Sequence, residues 1–198
     1  MERALFKSAL RVCISLAVIF PLLACSPKLN WRTVQSPEQR YSALFPAKPD
    51  KLERLIPYQD QELKQMLEAV KIDNDIYSIS SIQLPANQAG MTQKMIEQLQ
   101  GNVLDRAKAS DGNVLVEESA YQASDSRRIP AKDYFITFSS NGKTQQSMRV
   151  RWIVRPNDDG SNWIYQVSVL HANTESGDAK TILSKEEYAN FFNEFRPE

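Results

Sequence analysis

The N-terminal segment restricts the fold of this chain more than any other feature of its sequence. Three basic residues precede an uncharged apolar run over residues 12–24. The run is about as long as the roughly 7–15-residue core of a secretory signal peptide, whereas a membrane-spanning helix needs about 20 apolar residues. Pro21 also disfavours a regular helix near the end of the run. The pattern therefore predicts that residues 1–24 are a signal peptide, so the folded domain is built from the residues after Ala24.

The run closes with the residues Leu22-Leu23-Ala24-Cys25. They resemble the lipobox of bacterial lipoproteins, in which a small residue precedes an invariant cysteine. The resemblance implies that the Cys25 sulfur carries a diacylglycerol, that cleavage occurs before it, and that the new amino terminus is acylated. Each buried methylene contributes about 0.8 kcal/mol, so two or three acyl chains would hold the protein on a lipid bilayer. The alternatives are an ordinary signal peptide ahead of a buried cysteine, or an uncleaved anchor.

Ser26 stands directly after the cysteine. In lipoprotein sorting, an aspartate at this position tends to retain the protein at the inner membrane. The resemblance therefore implies an outer-membrane location facing the periplasm, if the source has two membranes. The alternative is the inner or plasma membrane.

Composition excludes several function classes for the mature chain. Lys+Arg and Asp+Glu both number 24, and the predicted signal peptide takes three basic residues and one acid, which leaves 174 residues with net charge −2. A near-neutral chain without a basic block predicts no nucleic-acid partner. Cys13 leaves with the signal peptide and Cys25 would be lipidated, which excludes disulfides, cysteine zinc sites and thiol catalysis. We expect a tether over residues 25–30 and a single domain over residues 31–198.

Strands are expected where apolar side chains alternate between turn signals. The predicted strands cover residues 31–34, 41–45, 76–84, 113–121, 134–138, 148–154 and 162–171. Residues 63–71 fit two structures, because their apolar residues have helical spacing while the turn after them suits a pair of strands. We choose a strand over residues 66–71 and keep the helix as the alternative.

Two helices are predicted. An apolar stripe indicates a helix over residues 91–109, and Gly112 is expected to be the left-handed residue beyond its end. The stretch from Ser184 to Glu187 has the pattern of a capping box that begins a closing helix. The aromatic residues of that helix, which share one face and must pack on the sheet, are Tyr188, Phe191, Phe192 and Phe195.

An Asn-Gly pair at residues 141–142 lies between two alternating runs. A two-residue turn would pair Ile136 with Ser147 and separate the apolar faces of the two strands. A three-residue loop ending at Lys143 pairs Ile136 with Met148 and keeps one face apolar. We therefore predict the longer loop, with its second or third residue in the left-handed conformation.

Three arginines form the candidate surface site. Arg149, Arg151 and Arg155 share the strand face opposite Trp152, and we interpret them as a possible anion-binding or partner-binding surface. The alternative is a solvated face with local partners, because the predicted register places Arg151 opposite Asp133.

The sequence predicts no catalytic residue, no metal and no cofactor. His171 is the only histidine, and one histidine cannot supply a histidine-rich metal site. As a general base it would need a nucleophile that the sequence does not place. Glu117 and Glu118 are neighbours on a strand and point to opposite faces, so they cannot act as a carboxylate pair. The chain also has no phosphate loop, nucleophile elbow or zinc-protease motif.

The order of elements is several strands, a helix, about four strands and a closing aromatic helix. Together with Phe45-Pro46-Ala47-Lys48-Pro49 after a strand, this order resembles small bacterial lipoproteins and envelope proteins with the PsbP-like fold. The resemblance implies an α+β fold, in which an internal helix and a C-terminal helix flank an antiparallel sheet. The family has no shared catalytic set, and a fold does not define a function.

The leading functional hypothesis is a membrane-tethered, non-enzymatic accessory or protein-binding factor whose partner is another envelope protein. The alternative is a periplasmic carrier of a small molecule or lipid, with a cavity between sheet and helix that Trp152, Trp163 and the methionines would line. An enzyme is the third hypothesis.

Overall fold

Long alternating runs of apolar side chains build a seven-stranded antiparallel sheet at the centre of the described part of the chain. Its strands are β3 (Asp50–Tyr58), β4 (Gln61–Ile72), β5 (Asp75–Leu84), β6 (Val114–Gln122), β7 (Arg128–Ser140), β8 (Lys143–Pro156) and β9 (Asn162–Ala172). Their spatial order is β3-β4-β5-β9-β8-β7-β6, and every neighbouring pair is antiparallel. β3 and β6 are therefore the two edge strands.

The computed structural model describes residues 29–58, 61–86, 89–172 and 178–198. The predicted signal peptide, Cys25 and residues 26–28 of the predicted tether lie outside the described residues. Trp31–Glu198 forms one compact unit.

A small second sheet, three α-helices and a short 3-10 helix (Pro37–Gln39) complete the described elements. The small sheet consists of β1 (Arg32–Ser36), β2 (Tyr41–Phe45) and β10 (Arg196–Pro197), in the order β1-β2-β10. The helices are α1 (Ala89–Ala109), α2 (Ala179–Leu183) and α3 (Glu186–Asn193). Mixed helices and mostly antiparallel strands confirm the predicted α+β class.

Elements cover both faces of the large sheet. One face, which we call the helix face, carries Ile136, Val150 and Trp152 and packs against α1. The opposite face, which we call the aromatic face, carries Phe135 and Tyr165 and packs against β2, α2 and α3. Successive strand residues point to opposite faces, so the central strands bury side chains on both of their faces.

The aromatic residues predicted for the closing helix lie in the core: Phe191, Phe192 and Phe195 are fully buried, and Tyr188 is nearly so. Phe195 lies beyond the end of α3 at Asn193, so its place on the helix was predicted wrongly. The ring of Phe191 contacts that of Phe45 on β2 at a centroid distance of 5.2 Å. A helix this short is stabilised mainly by the burial of its aromatic face against other rings.

The ambiguous region is a strand. Residues 63–71 lie within β4, which confirms the strand and excludes the helical alternative. β3 was not predicted, because its sequence shows no alternating apolar pattern and contains Pro57. A proline lacks a donor and is tolerated at the edge of a sheet, and β3 is such an edge.

Gly112 follows the end of α1 as predicted, but it is not the left-handed residue there. Asp111, with φ of 50°, is the left-handed residue after the helix. Gly112 is required by space instead, since a Cβ atom there would lie 1.9 Å from the carbonyl oxygen of Thr137. Its amide closes the helix by donating to the Ala107 carbonyl at 2.9 Å.

The predicted capping box does not form. Ser184 follows the last residue of α2 as its C-cap, and α3 begins after Lys185 without a side-chain cap. The capping side chain in this part of the fold belongs to Asp178, which accepts a hydrogen bond from the Thr181 amide at 3.0 Å. α3 therefore begins two residues after the predicted start of the closing helix, and α2 before it was not predicted.

The hairpin between β7 and β8 has the predicted register through a different turn. Ile136 pairs with Met148, but the turn contains only Asn141 and Gly142, both with positive φ. A bulge after Phe138 shifts the pairing by one residue. The two-residue turn and the bulge together keep the apolar faces aligned.

Candidate functional site

Arg149 and Arg151 lie inside the protein on the aromatic face, and Asp133 joins them. Nη2 of Arg149 donates to Oδ2 of Asp133 at 2.6 Å. Arg151 holds the same carboxylate with two bonds, from Nε to Oδ1 at 2.6 Å and from Nη2 to Oδ2 at 2.9 Å. The side chains of Arg149, Arg151 and Asp133 are 8%, 1% and 4% exposed. This geometry is a buried, charge-assisted network.

The two guanidinium groups also hold the C-terminal helices on the sheet. Arg149 donates to the carbonyl of Leu183, the last residue of α2, at 3.2 Å. Arg151 donates to the carbonyl of Phe192 in the last turn of α3 at 3.1 Å. Cations are favourable at helix C-termini, where carbonyl groups lack intrahelical partners. The guanidinium of Arg149 also lies 4.1 Å from the ring centroid of Phe192.

The opposite charges of the network stabilise one another against the effect of burial on their pKa values. Burial by itself raises the pKa of the Asp133 carboxyl, but the hydrogen bond and charge of Arg151 and the charge of Arg149 outweigh it. The pKa of Asp133 is therefore held below its ordinary value. Burial lowers the pKa of Arg149, and Asp133 opposes that shift.

The three predicted arginines do not share an exposed surface. Arg149 and Arg151 are buried, whereas Arg155 is partly exposed and donates to the carbonyl of the terminal Glu198 at 3.3 Å. The prediction of a local Asp133 partner opposite Arg151 is confirmed. The placement of the first two on a solvated face is corrected, because α2 and α3 cover that face.

A Ser-His-Asp row crosses three neighbouring strands of the aromatic face. His171 on β9 pairs with Ser147 on β8 and with Asp75 on β5. Nδ1 of His171 hydrogen-bonds to Asp75, whose other oxygen accepts from the Tyr188 hydroxyl at 3.0 Å. Ser147 is 0% exposed, so a substrate could not reach its hydroxyl. The Asp75 contacts tie α3 to the sheet.

Glu68 is a buried carboxylate that no sequence motif indicates. It accepts a hydrogen bond from Ser36 on β1 and lies 2.8 Å from the ammonium of Lys51 on β3. Burial, followed by the charge of Glu68, raises the pKa of the Tyr41 hydroxyl well above its ordinary value. The only sequence signal was a glutamate within an alternating strand.

The cavity expected for a carrier cannot be lined as predicted. Trp152 packs on the helix face, whereas Trp163 packs on the aromatic face. Met95 is fully buried against Ile82 and Ile164, so the contact between α1 and the sheet is filled there. One cavity cannot contact both tryptophans through the sheet.

The edge strand β6 carries a run of exposed apolar residues. Val114, Leu115 and Val116 are 37%, 41% and 45% exposed. Leu115 projects on the aromatic face and its two neighbours on the helix face, since they pair with Phe135, Ile136 and Tyr134. Apolar side chains therefore line both sides of an open sheet edge. The sequence pattern predicts a strand here but not its position at the edge of the sheet.

A cavity of about 260 Å³ lies beside this edge on the helix face. Tyr134 and Trp152 line it, in edge-to-face contact at a centroid distance of 5.0 Å. Glu118 and Lys132 also line it and form an ion pair at 3.5 Å. Gln100 of α1 contributes a further side.

Two further properties concern only the described ranges. They contain no group of three His, Cys, Asp or Glu side chains that could hold a metal ion. None of their helices combines the length and apolar character needed to cross a membrane.

Comparison with known proteins adds no relationship. No family model matches the sequence, and no curated protein matches it either.

Proposed function

We propose that this chain is a lipid-anchored protein of a bacterial cell envelope that acts without catalysis, as an accessory factor that binds another envelope protein. The anchor is the acylated Cys25 on the bilayer, at the outer membrane facing the periplasm. The domain after the tether adopts the PsbP-like version of the α+β fold. The signal-peptide pattern and the sequence Leu22-Leu23-Ala24-Cys25 support the anchoring.

The exposed run Val114, Leu115 and Val116 on β6 is the observation that carries the protein-binding role. Contiguous exposed apolar residues at the surface are typical of interaction sites. An open sheet edge also offers unpaired backbone groups to another chain. None of the three buried apolar clusters of the domain includes Val114, Leu115 or Val116.

The test compares matched variants of the tagged, full-length chain by chemical crosslinking in the source cells. Leu115→Glu places a charge in the exposed run, and Leu55→Glu places the same charge on β3, at the other sheet edge, where Leu55 is 58% exposed. We expect one envelope protein to crosslink to the wild type and to Leu55→Glu, and its yield to fall for Leu115→Glu. Equal yields from all three chains would contradict the proposed role of β6.

The anchor is tested in the same cells. The mass of the N-terminal peptide should show an acylated Cys25, and Cys25→Ala should remove both the modification and the crosslinked partner. An unmodified Cys25 in the wild-type chain would overturn the anchoring.

A further inference from the structure

We propose that β3 pairs antiparallel with β3 of a second copy of this chain, with Leu52 opposite Leu52 of the copy. The pairing joins the two large sheets edge to edge around a twofold axis, so both copies use the same surface. It involves the sheet edge opposite β6. It therefore goes beyond the protein-binding role proposed above and leaves the β6 edge of each copy free.

β3 is an edge strand with a long exposed segment. Residues 50–55 are all exposed. Two of them are large apolar residues, Leu52 and Leu55, which are 57% and 58% exposed. The outer side of an edge strand also presents unpaired backbone groups to another chain. β3 therefore has the backbone and apolar groups that an association surface needs.

The position of Pro57 indicates which backbone groups of β3 face outward. A proline in an edge strand places its nitrogen, which has no hydrogen, on the solvent side. Backbone groups alternate between the two sides along a strand, so those of Lys51 and Glu53 also face the free edge. With Leu52 at the centre, Lys51 of each copy exchanges both backbone hydrogen bonds with Glu53 of the other. Pro57 lies outside the paired residues 50–54.

The charges along β3 have signs that match a second copy. The segment reads Asp50-Lys51-Leu52-Glu53-Arg54. With Leu52 at the centre, each Asp50 lies opposite Arg54 of the other copy, and each Lys51 lies opposite Glu53. Opposite charges on directly opposed residues stabilise a pair of strands. The segment is therefore complementary to itself in antiparallel pairing.

Asp50 and Arg54 carry charges that are not matched within their own chain. Among the described residues, Asp50 makes no ion pair, and Arg54 donates to the uncharged amide of Gln65. Both project on the helix face, on either side of Leu52, which lies opposite Leu67 of β4. Pairing would place the leucines of both copies in one row between two ion pairs.

The other two charges of the segment are paired within the chain and remain matched in the dimer. Lys51 lies 2.8 Å from Glu68, and Glu53 lies 2.8 Å from Lys64. The side chains of Lys51 and Glu53 are still 52% and 49% exposed. Beside a second copy, each of the two gains another neighbour of opposite sign. Lys51 and Glu53 therefore do not oppose the pairing that Asp50 and Arg54 favour.

Other registers of β3 against its own copy lose this match. Centring the pair on Lys51, Glu53 or Arg54 sets that charge against the same charge of the copy, which is destabilising. Centring it on Leu55 sets Arg54 against Ile56 and leaves the arginine without a carboxylate. Charges and prolines protect a sheet edge from arbitrary strands. The order of signs in β3 therefore selects a second copy in one register.

Single cysteines in the full-length chain test this register in the source cells. The chain has no cysteine after Cys25, and the wild type controls for that residue. Leu52→Cys would place two thiols on opposed residues whose Cα atoms lie about 4.5 Å apart, within the range of a disulfide. Leu55→Cys is the matched control. Its two thiols would lie about 20 Å apart along the strands, because each lies opposite residue 49 of the other copy.

We expect Leu52→Cys to give a disulfide-linked dimer on a non-reducing gel, and Leu55→Cys and the wild type to give about tenfold less or none. In the Leu52→Cys chain, Arg54→Asp sets carboxylates against each other at both ion pairs and should lower the yield roughly tenfold. Adding Asp50→Arg makes the opposed charges opposite again and should restore the yield. Thermal unfolding of each variant checks that the domain is intact.

Sedimentation of the purified full-length chain in detergent measures the association with Leu52 in place. We expect the mass of two copies for the wild type and of one copy for Arg54→Asp. A wild type that sediments as a single copy would overturn the pairing, as would an intact Leu52→Cys domain that does not crosslink. Equal yields from Leu52→Cys and Leu55→Cys would contradict the register. A yield that Arg54→Asp leaves unchanged, or that Asp50→Arg does not restore, would contradict the charge matching.

Discussion

Asp133 accepts hydrogen bonds from two buried guanidinium groups, which makes it the residue on which the charge balance of the core depends. Removing one partner of a buried ion pair costs about 3–5 kcal/mol, because the remaining charge is left uncompensated. We expect Asp133→Asn to lower the free energy of unfolding by about that amount in urea unfolding followed by tryptophan fluorescence. Asp105→Asn, exposed on α1, is the control and should change little. Wild-type stability of Asp133→Asn would contradict the network's role.

The lowered pKa of Asp133 predicts that the free energy of unfolding depends on pH. The folded pKa of Asp133 is lowered, so its contribution to stability is present above the unfolded pKa of about 3.9 and is lost as pH falls through the folded pKa. We expect wild-type stability to drop more steeply than that of Asp133→Asn as pH is lowered below about 4. Urea midpoints measured between neutral and acidic pH test this. Parallel curves for the two proteins would show that Asp133 does not titrate in this window.

At the scale of single elements, Gly101 within α1 and Gly112 after it differ in the space that is available for a side chain. A Cβ at Gly112 would lie 1.9 Å from the Thr137 carbonyl oxygen, whereas a Cβ at Gly101 meets nothing closer than an Asp105 oxygen at 3.9 Å. Gly112→Ala must move backbone and should destabilise by more than about 1 kcal/mol. Gly101→Ala should stabilise by about 0.5–1 kcal/mol, because alanine favours a helix. Thermal unfolding compares the two, and a neutral Gly112→Ala would contradict the close approach.

α3 depends on its aromatic face more than on its caps. It has eight residues and no side-chain N-cap bond, so packing must supply most of its stability. Phe191 is fully buried among the rings of Phe45 and Tyr77. We expect Phe191→Ala to cost about 3–5 kcal/mol in urea unfolding. Asn193→Ala, on the exposed side of the same helix, is the control, and equal effects of the two variants would contradict the packing.

For the whole molecule, the compact unit Trp31–Glu198 predicts independent folding. The chain holds only Cys13 and Cys25, both before this unit, so no disulfide contributes to it. We expect residues 31–198, expressed alone, to unfold in one transition that fluorescence and circular dichroism report at the same urea concentration, with or without a reductant. Separate transitions by the two probes would show that the unit is not cooperative.

Most strands and the faces they present could be predicted from the sequence, because the alternation of apolar residues repeats with the period of the strand. The register that places Asp133 opposite Arg151 followed from that alternation alone. The turn that achieves the register did not, since a two-residue turn with a bulge and a three-residue loop leave the same faces aligned. β3 was missed for a related reason, because an edge strand buries too little to need an alternating pattern.

The sequence by itself determined the α+β class, the positions of α1 and the central strands, and the aromatic stripe of the closing helix, because these are local periodic patterns. The tertiary structure decided that Arg149 and Arg151 are buried, because their environment depends on helices that lie far along the chain and cover the face they share. It also decided that Trp152 and Trp163 lie on opposite faces and that Val114, Leu115 and Val116 stand on an open edge. A pattern along one strand states which side chains share a face, whereas the order of strands and the packing of helices determine which faces meet water.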